Sequence, residues 1–90
     1  MRYTVLIDGR LGAYGVVFPD LPGCVAMGKT IDEALTHAGD TVRDWIELTE
    51  EYGEAVPPPS LRRVLCRAPE VVSALAGGSV FATVSVPDTR

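Results

Sequence analysis

The sequence predicts an α+β fold in which an antiparallel sheet packs on one long helix. Three observations predict it. Runs of β-branched and aromatic residues stand at 2–8, 14–18 and 24–28, separated by short reversals rich in glycine and proline. Apolar residues at helical spacing then run from Ile31 to Tyr52. A further strand-like run occupies 80–86.

In the first strand, Tyr3, Val5 and Ile7 share one face and Thr4 and Leu6 the other. Gly9-Arg10-Leu11-Gly12 is a glycine-bracketed reversal, so Tyr14-Gly15-Val16-Val17-Phe18 returns as an antiparallel hairpin partner. Pro19 and Pro22 cannot donate to a ladder, which places a sharp connector at 19–23. Cys24-Val25-Ala26-Met27-Gly28 follows as a short third strand and completes a meander.

Thr30 and Glu33 form a capping box, in which the hydroxyl accepts from a free N–H and the carboxylate reaches back to the cap. From there Ile31, Ala34, Leu35, Ala38, Val42, Trp45, Ile46, Thr49 and Tyr52 make one stripe aimed at a core. Gly39 interrupts it as a weak point, read as room for close approach to the sheet, and Gly53 is placed as the C-terminal cap. Pro57-Pro58-Pro59 is a stiff spacer. Ser60 is read as the cap of a short turn through Leu65, and Pro69 to Leu75 as another brief helix, stopped by Gly77-Gly78. Residues 1–90 read as one domain, with no repeat and no low-complexity tract.

Ninety residues, nearly half of them apolar, support one small core, and self-association is a common way for such a chain to bury more surface. A net charge of −4 argues against electrostatic binding of nucleic acid by the domain as a whole. The charge is uneven. Asp32, Glu33, Asp40, Asp44, Glu47, Glu50, Glu51 and Glu54 are eight of the twelve acids, and Arg43 is the one arginine or lysine among them. Such a face is either a solvated surface or a docking surface for a basic partner. Arg62, Arg63 and Arg67 are the one basic cluster, read as surface charge. Cys24 and Cys66 read as small core residues of a reduced, cytoplasmic protein without a signal peptide, and no apolar run reaches the ~20 residues of a membrane helix.

Little in the sequence carries catalysis. There is no phosphate-binding glycine motif and no Cys/His metal spacing. His37, the sole histidine, reads as an exposed helix residue. Asp8, Asp20 and Glu33 are the oxygen ligands that a Mg²⁺-dependent nuclease would need, but each has a simpler local role. The expectation is a protein that is not an enzyme and has no cofactor and no metal site.

Gly15-Val16-Val17-Phe18-Pro19-Asp20-Leu21-Pro22-Gly23-Cys24, followed by Gly28-Lys29-Thr30-Ile31-Asp32-Glu33-Ala34 and Trp45, resembles the HicB-type antitoxins of bacterial and archaeal type II toxin–antitoxin systems. The resemblance covers most of residues 2 to 86. It implies a β-β-β-α-β domain, a partial RNase H-like fold, that inhibits rather than catalyses. The implied partner is a HicA-type toxin, a small basic RNase with a catalytic histidine, neutralised by masking of its RNA surface. That partner favours the docking reading of the acidic helix, with Asp20, Leu21, Pro22, Asp40, Asp44, Glu47 and Glu51 as the expected contacts. Many members continue into a DNA-binding segment. Here no DNA-reading helix follows the last strand, so DNA binding is doubtful for this chain. Two alternatives stand beside the antitoxin: a degenerate RNase H-like metal-dependent nuclease, and an orphan regulatory module that binds protein. A homodimer or higher oligomer is expected, joined through an exposed edge at the first or last strand.

Overall fold

The computed structural model describes residues 1–86. Its elements run β1 (Arg2–Arg10), β2 (Ala13–Val17), β3 (Val25–Gly28), α1 (Ile31–Glu51), α2 (Arg62–Leu65), α3 (Pro69–Ala76) and β4 (Val80–Ser85). The strands form one antiparallel sheet in the order β3-β2-β1-β4. The predicted meander is present, and β4 joins it beside β1. The edges are therefore β3 and β4. The first strand, expected as a candidate edge, lies inside the sheet because it pairs on both sides.

The period-2 pattern of β1 sends its two faces into two separate cores. Tyr3, Val5 and Ile7 join Val16, Phe18, Leu21, Cys24, Ala26, Val84 and Val86 against Ala34, Ala38 and Val42 of α1. Leu35, Trp45 and Ile46 pack at the margin of this core, as their spacing predicts. Ile31 and Tyr52, at the two ends of the stripe, are exposed. On the other face Leu6 packs with Leu65 and Val71, bordered by Ala68, Ala74, Leu75 and Phe81. The sheet thus carries α1 on one face and the short α2–α3 pair on the other, where the sequence pointed to one helix layer. Cys24 is buried as expected, and burial pushes its thiol up to about 11. Cys66 corrects the sequence reading, because it is exposed at the end of α2 and not in a core.

Both ends of α1 are closed by local chemistry. The Glu33 N–H donates to Thr30 Oγ1 at 3.0 Å, and Glu33 Oε1 accepts from the Lys29 N–H at 3.0 Å. At the other end Gly53 takes φ +74, its N–H reaching Glu50 O while the Glu54 N–H reaches Thr49 O. That pair of bonds is the Schellman arrangement, which an L side chain at Gly53 would strain.

Close approach of helix and strand occurs at Gly28, not at Gly39. A Cβ at Gly28 would stand 2.4 Å from Ala34 N and 2.8 Å from Ala34 Cα, whereas one at Gly39 meets nothing within 4 Å. Gly28→Ala should therefore lower stability by about 2 kcal/mol, because backbone must move to admit the methyl group. Gly39→Ala should raise it by roughly 0.5–1 kcal/mol through helix propensity alone. Urea unfolding of both variants checks the pair, and equal effects at the two positions would contradict this packing.

Candidate functional site

The connector between β2 and β3 folds on itself through three backbone bonds. Leu21 N–H donates to Phe18 O, Cys24 N–H to Leu21 O, and Phe18 N–H to Cys24 O. These turns direct Leu21 inward, where it is 0% exposed beside Phe18 and Cys24. Leu21 is thus corrected from an expected contact to a core anchor of the loop, since it offers a partner no side-chain surface. Pro22 remains exposed, and its carbonyl accepts from Trp45 Nε1 at 3.1 Å. The loop tip is thereby tied to α1.

Asp20 is half-buried and fully engaged. Its Oδ2 accepts from the Ser60 N–H at 2.8 Å and its Oδ1 from the Ser60 hydroxyl at 2.6 Å. Ser60 is accordingly not the cap of the following turn: the residue at the N-terminus of α2 is Leu61, with no side-chain cap bond. Nearby, the Tyr3 hydroxyl donates to Pro57 O at 2.6 Å. Burial, and then the negative charge of Asp20, raise the pKa of that phenol above its ordinary value. Three hydrogen bonds thus hold the 57–60 segment, one to Tyr3 of the sheet and two to Asp20 of the loop. The sequence gives Ser60 no local signal for this role, because its partner lies forty residues away.

The remaining candidates lie on α1. Asp40, Asp44, Glu47 and Glu51 are all exposed and follow 4-3-4 spacing, which places them on one stripe about 16 Å long. Arg43 reaches Asp40 at 3.7 Å, but both side chains are well exposed, so that pair does little to neutralise the stripe. The last turn of α1 contains no basic residue. Glu51 and its neighbours therefore face the negative end of the helix macrodipole, an arrangement costing roughly 0.3–1 kcal/mol per charge. The Trp45 bond sets Pro22 beside this helix, on its core-facing side, whereas the acidic stripe lies on its solvent face.

Asp8, Asp20 and Glu33 do not converge. Asp20 holds Ser60, Glu33 closes the helix cap, and Asp8 lies beside Gly15 in the hairpin. Among the described residues no group of three or more His, Cys, Asp or Glu could hold a metal ion. His37 is exposed as expected, and its Nδ1 lies 2.6 Å from Met27 O, so Nδ1–H donates and covers a carbonyl at the β3 edge. Of the arginine cluster, Arg62 lies over the Phe81 ring at 5.0 Å. An apolar cleft of about 160 Å³ between α3 and the sheet, with Asp8 and Glu70 in its lining, is on the face opposite α1. No helix among the described residues is long and apolar enough to cross a membrane.

A family model described as "HicB_like antitoxin of bacterial toxin-antitoxin system" matches residues 3–89. A UPF0150 protein of Thermoplasma acidophilum is 36% identical over 69 residues, which cover 76% of this chain and 100% of that protein. Antitoxin HicB 1 of Photorhabdus laumondii subsp. laumondii is 38% identical over 60 residues, or 66% of this chain; the matched part is 39% of that antitoxin's length. Among solved structures, the N-terminal domain of the Burkholderia pseudomallei antitoxin HicB superposes with a TM-score of 0.75 at 32% identity, covering 97% of this chain and 99% of that one. A chain of the HicA3 and HicB3 toxin–antitoxin complex superposes at 0.77 with 23% identity, covering 97% and 99%, and shows the shared fold.

Asp20→Ala should lower stability by about 2 kcal/mol, since it removes two hydrogen bonds to a charged acceptor. Asp20→Asn, which keeps one carbonyl acceptor, should lose less. Urea unfolding reads both, and a wild-type midpoint for Asp20→Ala would contradict a structural role for this carboxylate.

Proposed function

The chain belongs to the HicB-like antitoxins of bacterial toxin–antitoxin systems, and from that premise we propose that it binds a HicA-type toxin and covers the toxin's RNA-binding and catalytic surface. The pairing is carried over from the HicA3 and HicB3 complex, one chain of which shares this fold. In this reading the chain acts in the cytoplasm as a single domain over 1–90. Its fold is a partial RNase H-like one whose acids serve docking instead of metal binding.

The observation that carries the reading is the stripe Asp40, Asp44, Glu47 and Glu51. It runs toward the helix end where negative charge is least favourable, and the last turn there holds no basic residue. Stability alone does not account for such a stripe. A basic RNA-binding surface supplies what it lacks: opposite charge at matching length, with steering of the encounter at long range. Pro22, exposed at the tip of the loop tied to α1, adds a second contact apart from the stripe. Asp20 and Leu21 contribute by fixing the shape of the loop that presents it. No observation favours the nuclease alternative, because its three carboxylates are separately engaged or apart.

Replacing all four acids by lysine should weaken toxin binding by about 100-fold, at roughly 0.7 kcal/mol for each reversed charge. The same variant should unfold no earlier than the wild type, since lysines near the helix C-terminus suit the macrodipole. Calorimetric titration at two salt concentrations, with thermal unfolding in parallel, reads both effects. Unchanged affinity in a folded variant would remove the stripe from the interface.

A further inference from the structure

The sheet face opposite α1 is only partly covered. α2 and α3 pack there over β1 and β4, where Leu6 and Phe81 meet Leu65 and Val71. The part of that face made by β2 and β3 stays bare. Register puts Leu6, Val17 and Val25 in one row across the strands, and Asp8, Gly15 and Met27 in the next. Val17, Val25 and Met27 are 44%, 51% and 69% exposed, three large apolar side chains grouped on one surface.

The apolar cleft lies where the covered part meets the bare part. Leu6, Val17 and Pro19 line it from the sheet side and Val71 from α3, and Asp8 and Glu70 each add a carboxylate. At about 160 Å³ it is smaller than the ~300 Å³ at which small-molecule pockets begin, and of a size to hold one side chain. The Asp8 carboxylate leans over β2, since a Cβ at Gly15 would stand 3.2 Å from Asp8 Oδ1. Glu70 lies in the first turn of α3, where the helix dipole favours an acid. Among the described residues neither carboxylate has an ion-pair partner. Arg10, two residues beyond Asp8 on the same face, is exposed, forms no ion pair with it and is outside the cleft lining.

We propose that this cleft receives one arginine side chain of a partner protein, whose neighbouring apolar residues cover Val17, Val25 and Met27. Charge complementarity selects the occupant. Two uncompensated carboxylates beside apolar walls call for a cation on an aliphatic stem. Arginine meets this better than lysine, because its guanidinium is more weakly hydrated and offers five donors in a planar fork. Its methylene stem packs on the walls while the charged head reaches the carboxylates. The bare patch selects a protein over a free small cation, which would leave Val25 and Met27 in water. The site is on the face opposite α1 and does not depend on the toxin contact proposed for the acidic stripe.

Two blocked pentapeptides test this: Val-Ser-Arg-Ser-Val, and the same peptide with glutamine in place of arginine. When extended, each presents its central residue and both valines on one face. In a titration followed by amide chemical shifts, the arginine peptide should move Leu6, Asp8, Val17, Met27 and Val71. It should bind about tenfold more tightly than the glutamine peptide. Asp8→Asn combined with Glu70→Gln should abolish that ratio, with unchanged circular dichroism because both side chains are exposed. Met27→Ser should weaken both peptides and keep the ratio. The variant with lysine at the four stripe positions should also keep it, which separates this site from the toxin reading. Equal affinity of the two peptides, a ratio that survives in the double variant, or no shifts at millimolar peptide would overturn the proposal. So would shifts centred on Asp40 to Glu51, or n-butylguanidinium binding as tightly as the arginine peptide, which would mark a site for a small cation.

Discussion

The bond between Asp20 and Ser60 governs how the two halves of this domain meet. Asp20 stands in the loop that ends the hairpin, and Ser60 in the segment that leaves α1 for α2. Tyr3, on the α1 face of the sheet, holds Pro57 by its hydroxyl, while Leu65 packs on the opposite face. The chain therefore crosses from one face to the other between these points, and the carboxylate fixes where it crosses. Prolines 57 to 59 stiffen the approach, which limits the entropy lost when Ser60 is held. Without the clamp, α2 and α3 would be held to the sheet by a small apolar cluster and the contact of Arg62 with Phe81.

The local parts of the fold were legible because their signals are local. Thr30 and Glu33 announce a helix start three residues apart, and Gly53 announces its end. Alternation in β1 assigned Tyr3, Val5 and Ile7 to one core and Leu6 to the other face. The second layer was illegible for the same reason. α2 and α3 are too short for a period to establish which side they bury, and nothing near Leu65 or Val71 names Leu6 as the partner. Ser60 looked like a cap because serine before a short helix usually is one, yet a half-buried carboxylate forty residues away outcompeted that role. Gly39 and Gly28 show the same limit: only the three-dimensional approach of β3 to α1 distinguishes a glycine that must stay from one that need not.

The candidate site was legible as charge but not as shape. The spacing of Asp40, Asp44, Glu47 and Glu51 fixes a stripe from the sequence alone. The proline loop is tied to the core-facing side of the same helix by Trp45 Nε1 and Pro22 O, a pairing that no spacing rule supplies. Leu21 was misplaced because a loop residue flanked by Asp20 and Pro22 reads as exposed, while the nested turns fold it into the core. The domain that results carries an exposed acidic stripe on α1 and, on the opposite face of the sheet, a second small core under α2 and α3.

Titration of the purified chain into an mRNA-cleavage assay, with a HicA-type toxin as the nuclease, tests inhibition most directly. Cleavage should fall in proportion to added chain, cease near equivalence, and return when salt screens the acidic stripe. Undiminished cleavage at low salt with the chain in large excess would contradict it.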